Sequence, residues 1–264
     1  MSNKTLTIFG CGWLGKDLAI YLINKGYTVY GTTTQEQNQQ ELKNVGIIPF
    51  IYNSEIKSIL ENLVSENIVI AFPPGKNGDY SLYQNQIKDI LNIVKNKSKR
   101  VILISSTSVY PKSSGVWSEN SVFKPDTFQA ECILNAENEL LKSTIETKIV
   151  LRFAGLIDKN RNPINWLKDG KSSLSGDEPV NLIHKKDCIQ IIEKLILSDY
   201  KKEIFNACAD EHPSRAVFYE AVTNSKSLQF GQPSGIKRII DNSKLKQSLN
   251  YEYSFKNPIS FFAS

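Results

Sequence analysis

The chain has 264 residues, of which 41% are hydrophobic and 22% charged, with a net charge of +5. That balance suits a globular protein with a large core and excludes a disordered or fibrous chain. No apolar run approaches the roughly 18 residues of a membrane span, and β-forming residues begin shortly after Met1, so the sequence predicts a cytoplasmic protein with neither a signal peptide nor a membrane segment. Cys11, Cys132, Cys188 and Cys208 stand singly, which points to reduced thiols rather than disulfides or a metal site.

In chain order, the first pattern is a strand, a turn and a helix. Thr5, Leu6, Thr7, Ile8 and Phe9 are uncharged β-formers, as in a strand buried on both faces of a parallel sheet. Gly10, Gly12 and Gly15 follow with G-x-G-x-x-G spacing, enclosing Cys11, Trp13 and Leu14. In that spacing the first glycine permits a tight turn, the second lets backbone N–H groups approach a pyrophosphate, and the third lets the helix lie close to the strand. Leu14, Leu18 and Leu22, with Ala19 and Ile23 beside them, give the helix an apolar face, and its positive end meets the turn. A dinucleotide is the anion that this order of elements suits.

The helix ends near Lys25-Gly26, and Tyr27 to Tyr30 reads as a second strand. A dinucleotide fold usually places an acid at this strand end for the ribose hydroxyls, or an arginine nearby for a 2′-phosphate. Here stand Gly31, Thr32, Thr33 and Thr34, with Glu36 further along, so the three threonines are the candidate ribose contacts and NAD and NADP both stay open. Val45 to Tyr52 gives a third strand, Glu55 to Leu63 a helix, and Asn67 to Phe72 a fourth strand closed by Pro73, Pro74 and Gly75. Phe72, Pro73 and Pro74 therefore fall on the carboxyl edge where such folds hold ligands. Tyr80 to Val94 carries helical periodicity, and the basic group Lys95, Lys97, Lys99 and Arg100 lacks interleaved aromatics, so it reads as a solvated turn and no nucleic-acid partner is expected.

Val101 to Ile104 is a fifth strand running into Ser105, Ser106, Thr107, Ser108, Val109 and Tyr110. These hydroxyls either serve a nicotinamide ribose or substrate, or form a serine-rich turn. After a polar loop containing Trp117, Pro125-Asp126 opens a helix reaching about Lys142. Ile149 to Phe153 is a sixth strand in which Arg152 is the single charge, and a charge there must be paired or near a ligand. From Asp158 to Pro179 the strand–helix alternation lapses, which suggests a second lobe. Val180 to Ile183 leads into His184 and then a helix through Ile189, Ile192 and Leu195, with Asp187 near its start, where a carboxylate is stabilising. Ile204 to Cys208 is another strand, Ser214 opens a further helix, and two weak elements complete the chain.

Taken together, Gly10-x-Gly12-x-x-Gly15, Ser105 to Tyr110, Leu151 to Leu156, Asn181-Leu182-Ile183-His184-x-x-Asp187 and Phe205-Asn206 resemble the short-chain dehydrogenase/reductase superfamily. The likeness is to its extended branch, the NAD-dependent epimerase/dehydratase family, and there to atypical members with G-x-G-x-x-G. The resemblance implies a Ser or Thr, a Tyr acting as acid/base, and a Lys four residues later that lowers the Tyr pKa and holds the nicotinamide ribose. Counting back four from Tyr110 puts the Ser position on Ser106. The Tyr and Lys belong on the helix after Pro125, in the pattern Y-x-x-x-K-x-x-x-E. Matching Ala136-Glu137 to that pattern puts Gln129 at the Tyr position and Ile133 at the Lys position, so both side chains are replaced by groups that exchange no protons near neutral pH. Relatives that hold a nucleotide-sugar are generally longer, which suggests a smaller substrate or a reduced site.

The expected architecture is α/β: a Rossmann-type doubly wound, about seven-stranded parallel sheet with a small C-terminal substrate lobe. Residues 1–157 would form the dinucleotide-binding core, and 158–264 the remaining core elements, at about 180–208, interleaved with the lobe. The cofactor set is Gly10, Cys11, Gly12, Trp13, Leu14, Gly15, Thr32, Thr33, Thr34, Phe72, Pro73, Pro74 and Ser105. Ser106 and Tyr110 are the catalytic candidates, Gln129, Arg152 and His184 the substrate-side candidates, and Glu131 and Tyr80 further possible proton donors. The expected function is an NAD(P)-binding, oxidoreductase-like protein acting on a small molecule. The alternative is a catalytically inactive dinucleotide-binding sensor or regulatory protein.

Overall fold

Strand β1 (Thr5–Phe9) runs directly into helix α1 (Trp13–Ile23), and everything in the first unit is arranged about that pair. In the computed structural model the described residues are 4–52, 65–74, 80–167, 171–225 and 228–262. The helix expected over Glu55 to Leu63, and Gly75, lie outside them.

After α1 come β2 (Thr28–Thr33), α2 (Gln37–Asn44), β3 (Ile48–Ile51), β4 (Asn67–Ile70), α3 (Ser81–Val94), β5 (Arg100–Ser106), β6 (Gly115–Trp117), α4 (Phe128–Lys142) and β7 (Thr147–Phe153). There follow β8 (Gly155–Ile157), β9 (Lys171–Ser175), β10 (Leu182–His184), α5 (Lys185–Ile196), β11 (Lys202–Ala207), α6 (Arg215–Thr223), β12 (Gln229–Gly231), β13 (Arg238–Ile240) and α7 (Ser243–Leu249). Seven strands make the parallel central sheet, in the order β11-β7-β5-β4-β1-β2-β3. β1 pairs with β2 on one side and β4 on the other, so the strand order reverses there, and a crevice opens at the carboxyl ends of β1 and β4.

Alternation along β1 shows why helices cover both faces. Phe9 joins Ile70, Tyr83, Ile87, Leu103, Ala136 and Leu140 in the cluster under α3 and α4. Ile8 points the other way, where its Cγ2 lies 3.1 Å from an ideal Cβ at Gly15 of α1. Beside α1 lies α5, whose Glu193 accepts from the Tyr21 hydroxyl at 2.7 Å and pairs with Lys25 at 2.6 Å. The sheet is thus doubly wound, as its sequence predicts.

The chain forms two compact units. The first comprises residues 1–109, 127–151 and 191–204, and the second comprises 110–126, 152–190 and 205–264. The path therefore passes between them at several points along the chain. The second unit contains three small parallel pairs, β8 with β10, β9 with β12 and β6 with β13, about a core of Ile157, Leu182, Phe218 and Tyr219 with Phe230 and Phe262 packed against it. A buried carboxylate fastens its last segment: Asp187 accepts from the Tyr251 hydroxyl at 2.7 Å and from the Ser254 and Phe255 amides at 2.7 and 3.3 Å. The sequence places Asp187 only at a helix start, whereas the structure makes it a tie between α5 and the segment 251–255.

Candidate dinucleotide site

Each glycine of the turn answers to a different constraint. Gly10 has φ +98°, and a Cβ there would lie 2.7 Å from the Phe72 backbone nitrogen. A Cβ at Gly15 would come within 2.2 Å of the Gly10 carbonyl oxygen. These two glycines are required by the fold itself, which packs turn, helix and β4 extension backbone to backbone. Gly12 differs: a Cβ there would meet nothing within 4 Å. Among the described residues its glycine answers to no neighbour, as expected of a backbone that an external group must approach closely.

Gly12 is also the N-cap of α1, which has no side-chain cap bond and no acidic residue in its first turn. The helix start is thus capped by no side chain at Gly12, and a helix N-terminus of this kind favours a negative charge. Thr32 holds the turn in shape from below, accepting the Gly10 N–H on its hydroxyl at 2.9 Å and the Cys11 N–H on its carbonyl at 2.9 Å. Thr33 accepts the Gln35 N–H at 3.3 Å, and Thr34 is exposed. Of the three threonines expected to meet a ribose, Thr32 is thus buried as the keystone of the glycine turn. Phe72 stands against Gly10 and packs edge-on against Tyr83, with ring centroids 5.7 Å apart.

Cys11 lies within the turn, its sulfur 2.5 Å from an ideal Cβ at Gly31, so glycine is needed on β2 to admit it. Burial pushes the Cys11 thiol from 9.0 up to about 12. At pH 8 only about one Cys11 in ten thousand would be thiolate, and we expect mass spectrometry after brief iodoacetamide treatment of native protein to find Cys11 unmodified. The sign for stability is that of a raised acid. What the protonated thiol contributes is complete below pH 9.0 and lost as pH rises toward about 12.

At the end of β5, Ser105 donates to the buried Glu137 at 2.5 Å, and the Ser106 oxygen accepts the Ser108 N–H at 3.1 Å. Among the described residues none accepts from the Ser106 hydroxyl. On α4, Thr127 caps the first turn through the Ala130 N–H, Gln129 is half-buried, and Ile133, one turn on, is 1% exposed in the core. Glu131 is exposed in the same turn and Tyr80 half-buried just before α3. Position 133, where the resemblance expects a lysine, is therefore a packing position in this chain.

The other candidates belong to the second unit. Tyr110 is 1% exposed, and its hydroxyl accepts from Arg152 at 2.8 Å while facing the Ser118 carbonyl at 3.0 Å and the Asn206 side-chain oxygen at 2.9 Å. Trp117 and Phe123 pack against its ring. Burial raises the Tyr110 pKa, with Arg152 opposing. These contacts name the partner that the sequence leaves open for Arg152. Asn206 in turn donates its backbone N–H to Glu119 at 2.6 Å, and burial raises the Glu119 pKa. His184 lies between Phe255 and Phe261, with ring centroids 4.3 and 4.0 Å away, and its Nδ1 accepts the Lys186 N–H at 3.1 Å. Burial lowers the His184 pKa.

Sequence reasoning missed the burial of Glu137 and Asp187. For Glu137 the signal was present: it falls in the apolar stripe of α4 with Ile133 and Leu140, where a carboxylate demands a partner.

No protein-family model matches the sequence. The chain is 28% identical to Protein YeeZ of Escherichia coli (strain K12), over 97% of this chain and 98% of that protein. Among solved structures, the Bordetella bronchiseptica enzyme WbmG in complex with NAD superposes with a TM-score of 0.81 at 17% identity, covering 99% of this chain and 93% of that one. UDP-glucuronic acid 4-epimerase from Bacillus cereus, in complex with UDP-glucuronic acid and NAD, gives 0.79 at 18% identity, covering 98% of each. The fold of this chain is that of the NAD-bound epimerases and dehydratases, as the sequence motifs imply.

Proposed function

We propose that this chain is an NAD(P)-binding protein of the epimerase/dehydratase type, cytoplasmic and oxidoreductase-like toward a small-molecule substrate. The observation that carries the reading is the open space beyond Gly12, set between two glycines that the fold itself demands. The residues fit the group: Gly12 and the first turn of α1 would take the pyrophosphate, with Thr33, Thr34, Phe72, Pro73 and Pro74 around the crevice. A bound nicotinamide supplies a centre that accepts or gives up a hydride. The chain's own part follows from its side chains. The Ser106 hydroxyl can donate a hydrogen bond and the Gln129 amide can orient a carbonyl or hydroxyl, but neither moves a proton near neutral pH. Tyr110 is held by three partners and Arg152 is spent in part on Tyr110, so we take both as structural supports of the second unit rather than as the acid.

A second reading, dinucleotide binding without turnover in a sensor or regulatory role, is favoured by one observation: Ile133 is sealed in the core where a ribose-holding lysine would stand. Calorimetric titration with NADH and NADPH tests what the two readings share. We expect saturable binding of one or both, and no heat from either at millimolar concentration would overturn both. A turnover assay over aldehydes, ketones and nucleotide-sugars with Ser106→Ala as the control then separates them. Turnover lost in the variant supports the enzyme, and none in the wild-type protein supports the sensor.

A further inference from the structure

Glu137 is a carboxylate where α4 has room only for apolar side chains. It is 1% exposed, its neighbours on the helix stripe are Ile133, Ala136 and Leu140, and α4 packs against the cluster containing Tyr83, Ile87 and Leu103. Burying a carboxylate is costly even when it is paired, and apolar replacements of buried polar pairs often leave stability unchanged or higher. Stability alone is therefore a poor account of this residue. Its described partner is informative: Oε1 accepts from the Ser105 hydroxyl at 2.5 Å, and Ser105 lies at the carboxyl end of β5, next to Ser106 and beside β4 in the sheet.

We propose that Glu137 is a positioning residue of the dinucleotide crevice, which pins the end of β5 through Ser105 and so fixes the direction in which Ser106 presents its hydroxyl. The inference rests on the dinucleotide reading given above. A side chain held only by rotamer preference would swing among three wells. Here the bond from Ser105 to Glu137 and the bond from the Ser108 N–H to Ser106 fix consecutive residues from opposite sides. Among the described residues nothing accepts the Ser106 proton, which can then be offered to a ligand.

The test is a double-mutant cycle of Ser105→Ala and Glu137→Leu, with Glu137→Gln as the conservative variant, read in NADH affinity, thermal midpoint and amide hydrogen exchange. The expected result is a roughly tenfold loss of affinity in Ser105→Ala and in Glu137→Leu. The double variant should lose no more than either single one, because the two side chains act as one unit. Glu137→Gln, which keeps an acceptor, should bind within about threefold of wild type. Exchange at the Ser106 and Ser108 amides should quicken in both single variants without ligand present, while the thermal midpoint of Glu137→Leu stays level or rises. Wild-type affinity together with a lowered midpoint would overturn the proposal and make Glu137 a packing residue. Should Glu137→Leu fail to fold, Ser105→Ala carries the same comparison. If wild-type protein binds no dinucleotide, the parent reading falls. Unchanged exchange at Ser106 and Ser108 in Ser105→Ala overturns the pinning itself, whichever way the titration goes.

Discussion

Replacing Gly12 with valine should leave the protein folded and remove dinucleotide binding. Among the described residues nothing beyond its chain neighbours lies within 4 Å of the added Cβ, and Gly12 has φ −85°, outside the left-handed region that favours glycine. The side chain would therefore project into the space a pyrophosphate must enter. We expect at least a 100-fold loss of NADH affinity by calorimetry, about 2.7 kcal/mol, with a thermal midpoint within a degree or two of wild type. The contrast with Gly15→Ala is the control. There a Cβ would press on the Gly10 carbonyl at 2.2 Å, and a stability loss of about 3 kcal/mol or more is expected, because backbone on both sides has nowhere to go. Unchanged affinity in Gly12→Val would put the pyrophosphate elsewhere and break the functional reading at its base.

The second large effect is expected at Asp187. It is 0% exposed and accepts from the Tyr251 hydroxyl and from two backbone amides of the segment 251–255. Asp187→Ala strands these donors in the interior at about 1–3 kcal/mol each when unsatisfied. A total near 4 kcal/mol corresponds to a fall of roughly 8–16 °C in thermal midpoint for a chain of this size. Burial, together with the bond to Asp187 and its charge, holds the Tyr251 phenol far above its ordinary range, so loss of the carboxylate should also lower its titration, as ultraviolet absorbance would show. A midpoint unchanged by the substitution would show that α5 and the last segment are held together by other contacts.

What could be read from the sequence was local. The β1 turn is legible because its three glycines fall within six residues at a characteristic spacing, two of them, Gly10 and Gly15, closed to any side chain by the fold itself. The long helices α3 and α4 are legible from apolar periodicity, and the central strands from β-branched runs. The polar helix Gln37–Asn44 is not, because among its residues only Leu42 is buried. Nor are the pairs β6 with β13 and β8 with β10, whose strands are three residues each: no periodicity fits in three residues, and the pairing is decided by chain far away in sequence. The same distance hides the partners of the buried polar groups. Arg152 meets Tyr110, 42 positions earlier, and Thr32 turns to Gly10 rather than outward. Composition shows that such groups need partners, but only the packed sheet decides which.

The interleaved path has a consequence for how the protein is made. The central sheet ends at β11, which pairs beyond β7 at its edge and closes only at Ala207, and residues 191–204 belong to the same unit as β1. A ribosome delivering the chain from its amino end will have released the glycine turn long before the sheet that supports it can be finished. A nascent chain ending at residue 157 lacks the outermost strand and leaves β7 with an open edge, a surface prone to pairing with other chains. A fragment that stops at 157 should therefore aggregate, and one carried through to 207 is the shortest that can complete the seven-stranded sheet.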